Sequence, residues 1–375
     1  MKKTVFLLHT ALLILSMICF TGCSSTKTVP TSKDFNEWTS DSVAKIISAH
    51  DIPLIQVAGK IDGKAFFFQV ANAEFYPTKT ELPDTAIFQA ASLSKVVFAY
   101  IVMRLADRGE IDLDKPLHLY TDIDRFADKA NARKLTAKMV LTHRTGLPNW
   151  SASPSSTKWP TSTIDFIHAV DSCFGYSGEG FAFLQRAVEA IKGKGIDEIA
   201  REEVFGPLGM SRSSYEWKGC YDTLAVDGFN AKGENKGKGK HPRANVGYTL
   251  RSCASDYAKF LDALLNGEGL SDEMAKLMFT PSTGNAVRYA GKHRECDNHI
   301  AWAMGLGTEH SPELGKVLWH WGNNSTFKAL FVLLPERDSY LVYFTNSNHG
   351  HDIINAMTAL YFKNKKPLVL NEWIR

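Results

Sequence analysis

Short β-type runs near both ends of the chain, with helical segments between them, predict an α+β fold. In this α/β sandwich, an antiparallel sheet built from both chain ends is covered by helices, and an all-helical region is inserted into it. Three observations carry this reading. Residues 54–60 and 65–71 are β-rich runs joined by Ile61-Asp62-Gly63-Lys64, where Asp-Gly supplies the positive φ of a hairpin turn. Residues 92–108 form the most apolar helical stretch in the body. Leu93, Val96, Val97, Phe98, Tyr100, Ile101, Val102, Met103 and Leu105 leave almost no polar face. A helix of that kind is buried through the middle of a protein, and Gly109 ends it. Residues 317–321, 327–334 and 340–345 return to the strand pattern, with a turn at Pro335-Glu336-Arg337-Asp338.

The remaining elements follow in order. Phe35, Trp38, Val43, Ile46 and Ile47 recur at helical spacing and predict an opening helix over 35–50. From Gly109 to about Cys296 the chain reads as helical segments, such as 164–171, 180–192 and 255–265, separated by long loops. A last helix is expected over 353–362. One domain, residues 35–375, thus takes its sheet part from about 35–90 and 297–375 and its helical part from about 91–296.

Composition narrows the function classes. With 44% hydrophobic and 22% charged residues the chain reads as an ordinary globular protein. The net charge of +3, without a long run of one sign, gives nucleic acid no electrostatic footprint. The basic stretch over 232–243 (KGENKGKGKHPR) is Gly-rich and lacks aromatics, so it reads as a solvated loop.

The first residues read as a targeting segment. Lys2 and Lys3 precede an apolar run over 5–20, broken by His9, Thr10 and Ser16, that is short for a membrane span. It ends in Phe20-Thr21-Gly22-Cys23, which resembles the lipobox of bacterial lipoproteins. The resemblance implies a signal peptide over 1–22, cleavage before Cys23 and a lipid on its thiol; the alternative is an uncleaved anchor helix. Either way the body faces outward in the cell envelope, periplasm or exterior, on a linker over 23–34. Cys173, Cys220, Cys253 and Cys296 then remain, enough for two disulfides in any of three pairings or for free buried thiols.

Candidate chemistry centres on Ser-x-x-Lys. Residues three apart share a helix face, so a Ser in the first turn has the Lys amine beside its hydroxyl. Burial lowers the Lys pKa and makes part of it a neutral base. The pattern occurs at Ser24, Ser42, Ser92, Ser155 and Ser325. Ser92 alone combines a small-residue approach, Phe88-Gln89-Ala90-Ala91, with a buried helix behind it. A plain N-cap with an exposed lysine is the bland alternative, and it leaves Lys95 unexplained on so apolar a helix. His293, Cys296 and His299, and likewise His349 and His351, have ligand-type spacing but too few ligands, so no metal or other cofactor is expected.

FQAASLSK (88–95) resembles the nucleophile motif of the penicillin-recognising serine hydrolases, in particular the class C β-lactamase-like group. IDLDKPL (111–117), LTHRTGLP (141–148), FGYSGEGFAFL (174–184), VFGPLGM (204–210) and HWGNNSTFKALF (320–331) resemble further landmarks of that family, in order. The resemblance implies a β-lactamase/transpeptidase-like fold and a covalent acyl-enzyme on Ser92. Lys95 and Tyr176 would share the proton work. His320-Trp321-Gly322 would be the third motif, His320 facing the site, Gly322 leaving room for substrate, and the Asn323 N–H joining that of Ser92 in the oxyanion hole. The second motif departs from the family, because Gly178 stands where an asparagine would hold lysine and substrate. His320 likewise replaces a charged lysine, and about a quarter of an unperturbed histidine is charged at neutral pH. The implied substrates are a small ester or a cell-wall D-amino peptide, ahead of a β-lactam. A non-catalytic, surface-tethered binding protein on the same fold is the rival.

Overall fold

The turn of the first hairpin sets the opening of the fold. Asp62 and Gly63 take φ of 49° and 74°, a left-handed pair whose twist matches that of the flanking strands. They close β1 (Leu54–Ile61) onto β2 (Lys64–Ala71) with Ile61 opposite Lys64. This computed structural model describes residues 33–77, 82, 86–289 and 291–375, with side chains from Thr39 onward. The signal segment and Cys23 lie outside the described residues. α1 (Lys33–Ala49) precedes the hairpin and buries Val43 and Ile47.

After β2 the chain leaves the sheet. β3 (Phe88–Gln89) leads through a 3-10 turn, Ala91–Leu93, into α2 (Ser94–Asp107). The inserted region follows with α3 (Lys129–Ala132), α4 (Ala137–Leu141), α5 (Gly178–Lys192), α6 (Ile196–Ala200) and α7 (Tyr221–Leu224). It closes with β4 (Arg251–Ser252), α8 (Ala254–Leu265) and α9 (Asp272–Met278). Local chemistry starts these helices. Asp128, Thr136, Ser177 and Ser271 each accept a backbone N–H at a helix N-terminus, meeting donors that have no partner inside the helix. The chain then returns as β5 (Ala301–Trp302), β6 (Gly307–Ser311), β7 (Gly315–Asn323), β8 (Lys328–Leu334) and β9 (Ser339–Thr345), followed by α10 (Ile354–Phe362) and α11 (Val369–Ile374).

Among the described residues seven strands form one antiparallel sheet, ordered β2-β1-β9-β8-β7-β6-β5, so the two chain ends meet where β1 pairs β9, and β3 pairs β4 apart from it. Alternation along the strands divides the core. Ala329, Phe331, Leu333, Val342 and Phe344 face α2 and the helical region. Leu330, Val332, Leu334, Leu341 and Tyr343 face the other side, with Val43, Ile354, Met357 and Trp373. Burial on both faces explains why the strand runs read as continuously apolar.

Two expectations change. Residues 164–171 are a loop. The N–H groups of Ile167 and His168 donate to the Gly146 carbonyl and that of Ile164 to Arg125, so the helical apolar spacing packs an irregular strap. The basic stretch over 232–243 is only partly solvated, since the carbonyls of Lys238 and Gly239 accept from the buried Arg251 guanidinium.

Candidate active site

Ser92 sits in the 3-10 turn, one turn ahead of α2 proper, and is partly exposed. The residue before it, Ala91, has φ of 49°. A left-handed conformation in a residue with a Cβ is strained and persists only when its surroundings fix it. They do so here. The Tyr257 hydroxyl donates to the Leu93 carbonyl at 3.1 Å, that of Tyr215 to the Ser94 carbonyl at 2.7 Å, and the Leu250 N–H to Ser94 Oγ at 3.0 Å.

Lys95 lies on the first turn of α2 with 1% of its surface exposed. Its Nζ donates to Ser92 Oγ at 3.2 Å and to the Gly247 carbonyl at 2.6 Å, and lies 4.9 Å from the centre of the Tyr176 ring. Burial pushes its pKa down to about 7, because a desolvated ammonium holds its proton less tightly.

Tyr176 lies half-buried beside this pair, with its hydroxyl shielded from water. Burial raises its pKa, against smaller opposing effects of Ser92 and Arg288, so it stays a neutral phenol. Ser92 is near enough to lower that pKa, yet the Tyr176 oxygen makes no hydrogen bond of proper geometry among the described residues. The phenol is thus adjacent to Ser92 and not hydrogen-bonded to it.

His320 is fully buried on β7, and its Nδ1–H donates to the Trp321 carbonyl at 2.8 Å. Burial, with Lys95 nearby, pushes its pKa down to about 3. The partial charge expected of it at neutral pH is therefore absent, since a dry site beside a cation rejects a second proton. At Gly322 a Cβ would collide with the Ala90 carbonyl and crowd the Ala91 Cβ, so this glycine lets β7 close onto the nucleophile turn. β6 pairs β7 only as far as Trp319, so residues 320–323 have one edge outside that ladder. Asn323 is exposed, its Oδ1 accepting from Ser325 N–H and Lys328 Nζ.

Three groups escaped the sequence reading. His143, within the quoted LTHRTGLP, is buried with its ring 4.4 Å from Tyr176, and its Nδ1 accepts the Ser177 N–H at 3.1 Å. Burial holds it neutral, well below the usual histidine range, and it braces the tyrosine loop. Gly247 offers only a backbone carbonyl, which no side-chain pattern announces. Trp150 explains Gly178, where a Cβ would overlap its indole. The space an asparagine would take is thus filled by tryptophan, and the Gly247 carbonyl supplies Lys95 with its acceptor. Nearby, Glu179 accepts from Arg125, Ser151 and Trp159, and Asn324 Nδ2 donates to Gln89 Oε1 and the Tyr248 carbonyl.

Among the described residues Cys173, Cys220, Cys253 and Cys296 are all free. His293 pairs with Asn298 and His349 with Asp352; no group of three His, Cys, Asp or Glu converges among the described residues.

The family model described as Beta-lactamase matches residues 40–362. The chain is 27% identical to penicillin-binding protein 4 of Amycolatopsis lactamdurans over 174 residues, 44% of this chain and 45% of that protein. It is 26% identical to the D-alanyl-D-alanine-carboxypeptidase/endopeptidase AmpH of Escherichia coli (strain K12) over 168 residues, 41% of this chain and 43% of that protein. The chain thus spans less than half the length of either curated relative. A class C beta-lactamase structure superposes with a TM-score of 0.72 at 15% identity, over 89% of this chain and 97% of that one, a likeness of fold.

The Trp150–Gly178 contact yields a test. Gly178→Asn alone is expected to destabilise by about 1–3 kcal/mol, the scale of overpacking. Combined with Trp150→Ala it should cost less than the two single changes summed, because the indole it strikes is gone. Denaturant unfolding of the four proteins checks this; strict additivity would show that Trp150 does not fill the asparagine's place.

Proposed function

The chain belongs to the Beta-lactamase family of penicillin-recognising serine hydrolases, and we propose that it hydrolyses an ester or amide outside the cytoplasm through an acyl-enzyme on Ser92. One observation carries the reading: a lysine amine with a pKa near 7 donates to a partly exposed serine hydroxyl. The neutral fraction of Lys95 takes the Ser92 proton as Oγ attacks the substrate carbonyl. The N–H groups of Ser92 and Asn323 stabilise the oxyanion. The leaving group departs with a proton from the Tyr176 phenol, which Lys95 restores. Water then attacks the Ser92 ester, giving its proton to Lys95, which passes it to Ser92 Oγ as the acid is released and the enzyme is restored. The two pKa shifts run in opposite directions, and that sorts the roles into a lysine base and a phenol acid.

A small ester or a D-amino peptide fits better than a β-lactam. His320 is neutral, so the third motif supplies no cation for the drug's carboxylate, and Trp150 replaces the side chain that would hold its amide. The similarity to the D-alanyl-D-alanine-carboxypeptidase/endopeptidase AmpH supports the peptide reading. The lipobox-like Cys23 supports export and a membrane tether.

Ser92→Ala should abolish labelling by a fluorophosphonate, and Lys95→Met should slow acylation by about two orders of magnitude or more. For a neutral p-nitrophenyl ester, kcat/KM should rise with pH through about 7 and then level, since protonated Lys95 cannot accept the serine proton. A flat profile from pH 6 to 8 contradicts the base assignment. A chromogenic cephalosporin turned over near the diffusional limit while esters are left untouched contradicts the substrate preference. Separately, Cys23→Ser should abolish lipidation and release the protein from membranes; unchanged processing would favour an uncleaved helix.

A further inference from the structure

β7 turns into β8 just beyond the site. The Asn324 N–H donates to the Phe327 carbonyl at 3.0 Å, and Asn323 stands opposite Lys328. Hydrogen-bonded and open pairs alternate along an antiparallel ladder. The bond at Asn324 therefore makes Asn323 and Lys328 an open pair. Its Asn323 N–H points away from β8, into the edge that β6 leaves uncovered beyond Trp319. Gly322 faces the nucleophile turn, so alternation sends the Asn323 side chain to the opposite face of the sheet, the face of Trp321 and Leu330. Lys328 lies across from it on that face.

Lys328 is only 6% exposed, and a buried ammonium is costly unless its donors are met. Among the described residues no aspartate or glutamate forms an ion pair with it. Asp352 favours its charge from farther off, while bonding His349 at 3.0 Å and lying 3.9 Å from Arg375. The Lys328 Nζ is spent on the turn instead, donating to Asn323 Oδ1 at 2.7 Å and to the Ser325 carbonyl at 3.0 Å. Asn323 Oδ1 also accepts the Ser325 N–H at 3.0 Å. Ser325 has φ of 61°, a conformation that a residue with a Cβ keeps only when its surroundings hold it. An apolar side chain would fill the same space without burying a charge, so packing alone does not account for a cation here. The Asn324 side chain ties the turn to Gln89 and the Tyr248 carbonyl, and Lys328 ties it from below.

We propose that Lys328 is a positioning residue for the oxyanion hole. Its ammonium, on the face of the sheet away from Ser92, grips the Asn323 side chain and the Ser325 carbonyl and so fixes the direction of the Asn323 N–H at the open edge. The proposal rests on the acyl-enzyme reading above, in which that N–H and the N–H of Ser92 receive the oxyanion.

A p-nitrophenyl ester and its thiono analogue, with C=S in place of C=O, read the hole directly. Sulfur is larger and a weaker acceptor, so a well-placed pair of N–H donors favours the oxygen substrate. The ratio of the two kcat/KM values, divided by the same ratio for hydroxide in solution, should be about a hundredfold or more in the wild-type protein, the scale of an oxyanion-hole donor. Lys328→Met keeps the apolar stem and should lower that ratio by about tenfold or more, since a small displacement of a positioned group is felt strongly. Lys328→Arg restores donors and should keep more of it than Lys328→Met. Asn323→Ala removes the acceptor from the other end and should lower the ratio likewise, which gives the same readout should methionine at 328 prevent folding. A lysine with a merely structural role would, when replaced, lower both rates alike and leave the ratio unchanged; that result overturns the proposal and spares the hole. A wild-type ratio near one, with Ser92 still labelled by fluorophosphonate, overturns the hole and this proposal while sparing the acyl-enzyme. Failure to hydrolyse either substrate, with Ser92 unlabelled, overturns all three.

Discussion

A lysine amine kept almost wholly out of water is the constraint around which the rest is arranged. Lys95 becomes a base near neutral pH only because α2 is apolar on every side and runs through the centre of the protein. The dryness has to be maintained at each opening. Gly322 lets β7 close on the nucleophile turn, Trp150 fills the space beside Gly178, and the Gly247 carbonyl gives the amine a neutral acceptor. A carboxylate there would hold the proton on the lysine. The arrangement has a thermodynamic consequence. The unfolded chain keeps this proton up to about pH 10.5 and the folded chain only to about 7, so this group weakens folding fully below pH 7 and progressively less above it.

The same dryness fixes the state of the neighbours. His143 and His320 remain neutral and Tyr176 remains a phenol, because a site that sheds the lysine proton also refuses charge elsewhere. Beneath them Trp302, Trp319, Trp321 and Trp373 pack with ring centres 5.3–6.2 Å apart. This slab carries Tyr176 at 4.9 Å from Trp321 and offers its face to Arg288.

Legibility in the sequence follows from how locally each feature is encoded. The first hairpin is readable because Asp62-Gly63 specifies its own turn. α2 is readable because its burial is written on every face, and β8 and β9 because both of their faces are covered. β5 and β6 are not. One has two residues, and the other, Gly-Thr-Glu-His-Ser, has no apolar pattern; its Glu309 is committed to the N–H groups of Val369 and Leu370 at the start of α11. Residues 164–171 mislead because their apolar spacing is helical while their hydrogen bonds go to Gly146 and Arg125. At the site, Ser92 and Lys95 share one helical turn and declare themselves. Trp150 and Gly247 reach it from distant segments, as a filled space and a main-chain oxygen, and only the folded chain brings them together.

The central claim is that the Lys95 amine titrates near neutrality in the folded protein. An NMR titration of its side-chain ¹⁵N or ε-¹³C signal, assigned by its loss in Lys95→Met, measures this directly. The account predicts a midpoint of about 7. A Lys95 that holds its proton to about pH 10, like a lysine in water, would contradict it.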